Sequence, residues 1–205
     1  RPLYFMQKDP KKEALDFFQL AERTRANSRF ADALAFYRQA RARARTAGCQ
    51  EEELEAEIGV GDCLRMVARF GLAQRSYERA VVMADKMNFP DPEVEGLVGV
   101  GLSVRAQGNP EAAVPHFEKA LQLCKKSGLR DRLGFVNWAM GGTYRFCGNL
   151  RKAQKHFRTA LTAATKQGDT IGAGYALCGL GGVTRLMGKF ELTQEFYGEA
   201  SAIFD

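Results

Sequence analysis

Between Val94 and Cys124 the chain carries two apolar stripes at helical spacing, separated by a break. Val94, Leu97, Val98, Gly101 and Leu102 fall on one face of a first helix. Ala113, Phe117, Ala120, Leu121 and Cys124 fall on one face of a second. Asp91-Pro92-Glu93 reads as the start of the first helix: an acidic N-cap, proline in the first turn, then further negative charge. Gly108-Asn109-Pro110 reads as its stop, because glycine and asparagine suit a left-handed C-cap and proline suits the opening of a new helix. Ser127-Gly128 ends the second helix. The prediction for this stretch is a helix hairpin.

The same hairpin recurs along the chain. Arg25, Arg65, Arg105, Arg145 and Arg185 stand in one column at a period of forty residues. An aromatic column runs Tyr37, Tyr77, Phe117, Phe157, Tyr197 in the same register. Small residues form three more: Ala40 to Ala200, Ala33 to Thr193, and Ala21, Gly61, Gly101, Gly141, Gly181. A fixed period in this range signals a repeat array in which each unit packs on its neighbours. Further breaks are expected at Arg69-Phe70-Gly71, Cys147-Gly148-Asn149 and Met187-Gly188-Lys189 within hairpins. Between hairpins they are expected at Met87-Asn88, Ser127-Gly128 and Gln167-Gly168-Asp169. Glycine inside a helix costs about 1 kcal/mol relative to alanine, so its repetition in one column implies close approach of a neighbouring helix.

Composition narrows the function classes. No apolar run reaches the ~20 residues of a membrane span, and Arg1 to Pro10 lacks the apolar core of a signal peptide. The chain opens without methionine, and the expectation is a processed or excised piece. Five cysteines without a Cys-x-x-Cys pair speak against a disulfide framework or a zinc site, and they read as small hydrophobes in a reducing, cytoplasmic setting. The net charge of +6 is uneven. Residues 1–50 carry 11 basic and 5 acidic side chains, residues 51–90 carry 5 and 8, and residues 131–170 carry 7 and 2. A nucleic-acid binder shows one continuous basic face, so this alternation disfavours nucleic acid as partner.

Within each repeat an apolar residue (Val60, Val100, Met140, Leu180) precedes the small-column glycine. Alanine follows that glycine by twelve positions, an aromatic by sixteen, and alanine again by nineteen. These spacings resemble the tetratricopeptide repeat over residues 11–205. Ala21 makes the first copy less typical. The period of forty exceeds the usual 34, and the family's proline near the end of the second helix is absent. The longer repeat is similar to those of GoLoco-binding polarity scaffolds and of bacterial peptide-sensing regulators. The resemblance implies an all-α, right-handed solenoid of about five antiparallel helix hairpins. Its repeats would be about 11–50, 51–90, 91–130, 131–170 and 171–205, after an N-terminal arm at 1–10.

The resemblance also places the first helix of each hairpin on an inner, concave face, and with it the arginine column. The N-terminal half of that groove would set Glu55, Asp62 and Glu95 beside Arg65 and Arg105. The C-terminal half would set Arg145 and Arg185 beside Phe135, Trp138 and Tyr175, with Gly142 and Gly182 leaving bare backbone for a ligand to approach. Arginine and aromatic side chains anchor interfaces, and arginine holds carboxylates bidentately. A partner protein or peptide with acidic and apolar positions would suit such a surface. The arginines have a second possible role, pairing with acids or carbonyls of the adjacent repeat. Trp138 likewise fits either core packing or the groove. Arg145 and Arg185 are the expected ligand contacts, and Arg65 the expected structural pair.

Other motifs carry less. Gly179-Leu180-Gly181-Gly182 lies within a helix with no preceding strand, unlike a phosphate-binding loop. His116 and His156 share a column but have no third ligand for a metal. Arg38, Arg41 and Arg45 read as a solvated basic stripe. No nucleophile, base and orienting acid stand at a catalytic spacing. The expected function is a non-catalytic protein–protein interaction module without cofactor or metal, holding an extended peptide segment. The alternative is a ligand- or peptide-sensing regulatory domain of a larger signalling or transcription protein. The last repeat stops at Phe204-Asp205 without a polar cap, so a further segment or a second subunit is expected over that end.

Overall fold

A computed structural model describes residues 9–204. Among them are ten α-helices and no strand: α1 (Pro10–Ala26), α2 (Phe30–Ala47), α3 (Gln50–Met66), α4 (Phe70–Met87), α5 (Pro90–Ala106), α6 (Pro110–Lys126), α7 (Leu133–Phe146), α8 (Leu150–Gln167), α9 (Thr170–Leu186) and α10 (Phe190–Phe204). A single 3-10 turn, Arg130–Arg132, leads into α7. The expected N-terminal arm lies almost wholly outside the described residues. Pro10 already opens α1, and Asp9 caps it by accepting from the Lys11 amide at 3.0 Å.

The breaks are spaced more regularly than the sequence reading placed them. A residue in the left-handed region stands every twenty positions: Ser28, Gly48, Ala68, Asn88, Gly108, Gly128, Gly148, Gly168 and Gly188. The reversal expected at Arg69-Phe70-Gly71 therefore occurs at Ala68 (φ 59°), and Gly71 lies inside α4. Helix α5 begins at Pro90, ahead of the expected cap at Asp91. Proline is favoured in a first turn whichever of the two prolines occupies it.

The chain forms two compact units, residues 1–92 and 93–205. In the first, the hairpin α1–α2 packs on α3–α4, chiefly through α2 against α3. In the second, α6 packs on α7, α8 on α9, and α7 on α9, with α9–α10 as the last hairpin. Within both units the small column meets the aromatic column. A Cβ placed on Gly61 would stand 2.8 Å from the Tyr77 ring, on Gly101 2.6 Å from Phe117, on Gly141 2.9 Å from Phe157, and on Gly181 2.7 Å from Tyr197. The glycines are thus explained by rings lying on bare helix backbone. Tyr37, Tyr77, Phe117 and Phe157 are buried in this way, each contributing about 2 kcal/mol of apolar burial. Cys63 and Cys124 share the core, while Cys49, Cys147 and Cys178 are half-buried; all are free thiols. Among the described residues no helix is long and apolar enough to cross a membrane.

Candidate functional site

Each column arginine sits in the last turn of the first helix of its hairpin, where a cation complements the helix dipole. From there three of them reach across to the next hairpin. In the first unit, Arg25 Nη2 bonds Glu22 at 2.7 Å within α1, and Nη1 lies 3.7 Å from Asp62 of α3. The same two acids receive the phenols of the aromatic column. Tyr37 donates to Glu22, and Tyr77 donates to Asp62 at 2.6 Å. Burial holds both phenols well above the ordinary tyrosine pKa. The hydrogen bond to Glu22 adds to this at Tyr37, and the Asp62 charge does so at Tyr77. Asp62 is thereby committed to internal partners. Arg65, expected to be the structural pair of the column, has its Nε buried with no hydrogen-bond partner.

In the second unit the column reaches toward uncharged groups and bare backbone of the next hairpin. Arg105 Nη1 of α5 lies 3.3 Å from both the Ala139 carbonyl and the Thr143 hydroxyl of α7, donating to each. A Cβ on Gly142 would stand 2.8 Å from that same Nη1. Arg145 of α7 repeats the arrangement one hairpin on, with Nη1 2.5 Å from where a Gly182 Cβ would be. This corrects one expectation. At Gly182 the guanidinium of the preceding hairpin takes the space expected to be open backbone, whereas Gly142, beside Arg105, still lines the cleft described below. Arg185 is exposed.

Phe146, 64% exposed, carries both guanidiniums, Arg105 at 5.5 Å and Arg145 at 5.7 Å from its ring centre. Such cation–π contacts contribute about 0.5–1 kcal/mol at exposed sites. Beside it runs a file of aromatics. Phe135 stacks on Trp138 (6.1 Å, 15°), Trp138 meets Tyr175 edge-on (6.2 Å, 60°), and Tyr175 leans on Phe204 (5.4 Å, 56°). Trp138 serves in two places, since it also packs on the core of Phe157, Leu180 and Val183. Between the file and the guanidiniums is a cleft of about 180 Å³, reached by Arg105, Arg145, Trp138, Tyr175, Phe146 and Cys178. The expected residues Phe135, Trp138, Tyr175, Gly142, Arg105 and Arg145 thus gather in the second unit. Arg185 and Gly182 lie in the same unit, whereas Asp62 and Arg65 belong to the first. Sequence reading missed Phe146 and Phe204. Phe146 had a signal, because a large apolar residue follows three of the five column arginines (Met66, Phe146, Leu186), and all three are exposed.

A second polar cluster escaped notice altogether. Glu57 of α3, 1% exposed, accepts from Arg41 at 2.7 Å, Arg79 at 2.6 Å and Ser76 at 2.5 Å. Burial pushes its carboxyl upward, but the hydrogen bonds from Ser76, Arg79 and Arg41 outweigh that and leave it below the ordinary range. The basic stripe on α2 is therefore not simply solvated, for Arg41 holds Glu57 and Arg45 holds Glu53 at 2.6 Å. The equivalent position in α7 is Asn137, whose Oδ1 is 2.9 Å from His156 Nδ1. Burial, then Lys155 and Lys152, lowers the His156 pKa. No group of three or more potential ligands among the described residues is placed to hold a metal ion.

Comparison with known proteins places this geometry. Residues 94–166 match a tetratricopeptide repeat family model. The fold is that of tetratricopeptide repeat arrays. A Rap protein complexed with competence and sporulation factor superposes with a TM-score of 0.85 at 15% identity, over 93% of this chain and 54% of that one. Aspartyl phosphate phosphatase F from Bacillus subtilis gives 0.76 at 14% identity, over 97% and 61%. The Rap conjugation gene regulator of plasmid pLS20, in complex with the Phr* peptide, gives 0.82 at 16%, over 97% and 56%. The chain spans little more than half the length of each of these three. Comparison with curated proteins gives no match.

Proposed function

We propose that this chain is a non-catalytic interaction module whose second unit binds an extended peptide segment along the aromatic file. One observation carries the reading: Phe135, Tyr175 and Phe204 are 43–53% exposed and stacked through Trp138, beside a cleft that receives two guanidiniums. Exposed aromatics in contact with one another leave a sizeable apolar surface in water, the usual mark of an interaction site. Arginine beside them supplies a partner for carboxylates. A peptide with alternating apolar and acidic positions suits both, and binding needs no chemistry beyond recognition.

A second reading has its own support. Two of the similar structures are complexes, one with competence and sporulation factor and one with the Phr* peptide. On that reading the chain senses a short regulatory peptide on behalf of a larger signalling or transcription protein.

Trp138 is the only tryptophan, so its emission reports on the cleft directly. Octapeptides of mixed acidic and apolar residues, titrated in turn, should shift that emission for a subset. Tyr175→Ala and Phe135→Ala should weaken those peptides about tenfold, the effect of one interface anchor, with an unchanged melting temperature. Arg145→Ala and Arg185→Ala test the cationic side in the same way. Unchanged affinity together with a melt lowered by several degrees would assign these residues to packing instead.

A further inference from the structure

The second unit has another cleft, on the side of α6 and α8, with no aromatic file. It is about 1260 Å³ in volume, above the ~300–1,000 Å³ of small-molecule pockets. Six cations reach it, Lys125, Arg130, Arg151, Lys155, Arg158 and Lys166, against one acid, Asp131. All six are exposed. None of the six forms an ion pair among the described residues. Four of them stand on α8 at spacings of four, three and eight residues, so they run along one face for about 22 Å.

The corresponding cleft of the first unit shows that this excess is not imposed by the repeat. There Arg45, Arg75, Arg79 and Lys86 are accompanied by Glu53 and Glu78. Arg45 pairs with Glu53, and Arg79 pairs with Glu57. Forty-residue equivalents differ in sign, since Arg158 stands eighty residues after Glu78. One unit neutralises this surface internally and the other leaves it charged.

The chemistry of the lining separates the possible occupants. Single-stranded nucleic acid is held by aromatic side chains on which bases stack, and His156 is the only ring in this cleft. Leu121, Leu133 and Ala163 lie among the cations, which suits a partner bearing apolar as well as acidic side chains. A straight cationic row on one helix, with apolar residues between it and the neighbouring helix, fits a second helix laid alongside. We infer that the α6–α8 cleft docks an acidic amphipathic helix of a partner protein, its carboxylates spaced to meet Arg151, Lys155, Arg158 and Lys166.

The probe is a fluorescein-labelled helical peptide of about 18 residues with glutamate every three to four positions and leucines on one flank. A single-stranded DNA of equal charge serves as competitor. Anisotropy with the full chain should show saturable binding that weakens as salt rises from 50 to 300 mM. The double variant Arg151→Glu, Arg158→Glu should lose at least tenfold in affinity with its helical circular dichroism intact. Arg38→Glu, an exposed reversal in the first unit, should change little. Three results would overturn the inference: no binding, equal binding by the double variant, or displacement of the peptide by the DNA at lower concentration.

Discussion

In the first unit Arg25 meets Glu22 and Asp62, and the phenols of Tyr37 and Tyr77 meet the same two carboxylates. In the second unit the acid positions hold Leu102, Gly142 and Gly182, the second-helix aromatics at 117 and 157 are phenylalanines, and Arg105 turns to a carbonyl and a hydroxyl and shares the face of Phe146 with Arg145. Where the aromatic is buried each solution is internally consistent, whereas Tyr197, beside Gly182, is exposed and needs no acid. A tyrosine hydroxyl without its acid would leave a buried donor unsatisfied, costing about 1–3 kcal/mol. An acid without tyrosine and arginine would be a poorly paired charge. One backbone repeat thus supports two side-chain chemistries, and the one that spends its charges internally leaves less for a partner.

The largest expected effect tests the polar solution. Glu57→Ala should destabilise the first unit by about 3 kcal/mol, because Arg41 and Arg79 lose their buried acceptor. Hydrogen exchange should show faster opening in α2–α4 and unchanged protection in α7–α9. Uniform loss across both units would break the distinction between them.

Two adjacent glycines give a sharper contrast. Gly141→Ala drives a methyl into the Phe157 ring and should cost about 1–3 kcal/mol in urea unfolding. Gly142→Ala meets only the far end of a flexible arginine. It should be neutral, or stabilising by up to ~1 kcal/mol through helix propensity, while displacing Arg105 from Phe146.

Acid should affect the units at different pH. His156 has a lowered pKa, so its neutral form is the folded one, and stability in the second unit falls as pH drops through about 6.5, the unfolded value. His156→Gln should flatten that slope. Glu57 has a lowered pKa, so its contribution is present above about 4.3 and is lost only as pH falls further through its folded value. Stability measured unit by unit from pH 7.5 down to about 2 resolves the two steps. The smallest expected effect is at the turns. Ala68→Gly relieves a left-handed alanine and should stabilise by about 1 kcal/mol, whereas Gly148→Ala should cost a similar amount.

Much of this was legible in the sequence, because helix hairpins advertise themselves through periodicity and small-residue columns do so through register. Gly61, Gly101, Gly141 and Gly181 were readable as close-approach positions since glycine has little other reason to recur in a helix. The direction of the arginines was not readable. Whether Arg105 points to solvent or across to Thr143 depends on the separation of adjacent hairpins, which spacing along the chain does not encode. Ala68 was passed over as a turn because a left-handed alanine has no compositional signature beside Gly71. Glu57 was hidden because one acid in an acidic helix start looks like its neighbours Glu52, Glu53 and Glu55.

The reach of Arg25, Arg105 and Arg145 into the following hairpin gives each repeat a front and a back. A hairpin hands a cation forward and offers a receptor, acid or glycine, to the one behind. Such blocks join like directional connectors. An array of them lengthens readily by tandem duplication of whole forty-residue segments, whereas exchanging single hairpins between the two units mismatches sender and receiver at both new seams.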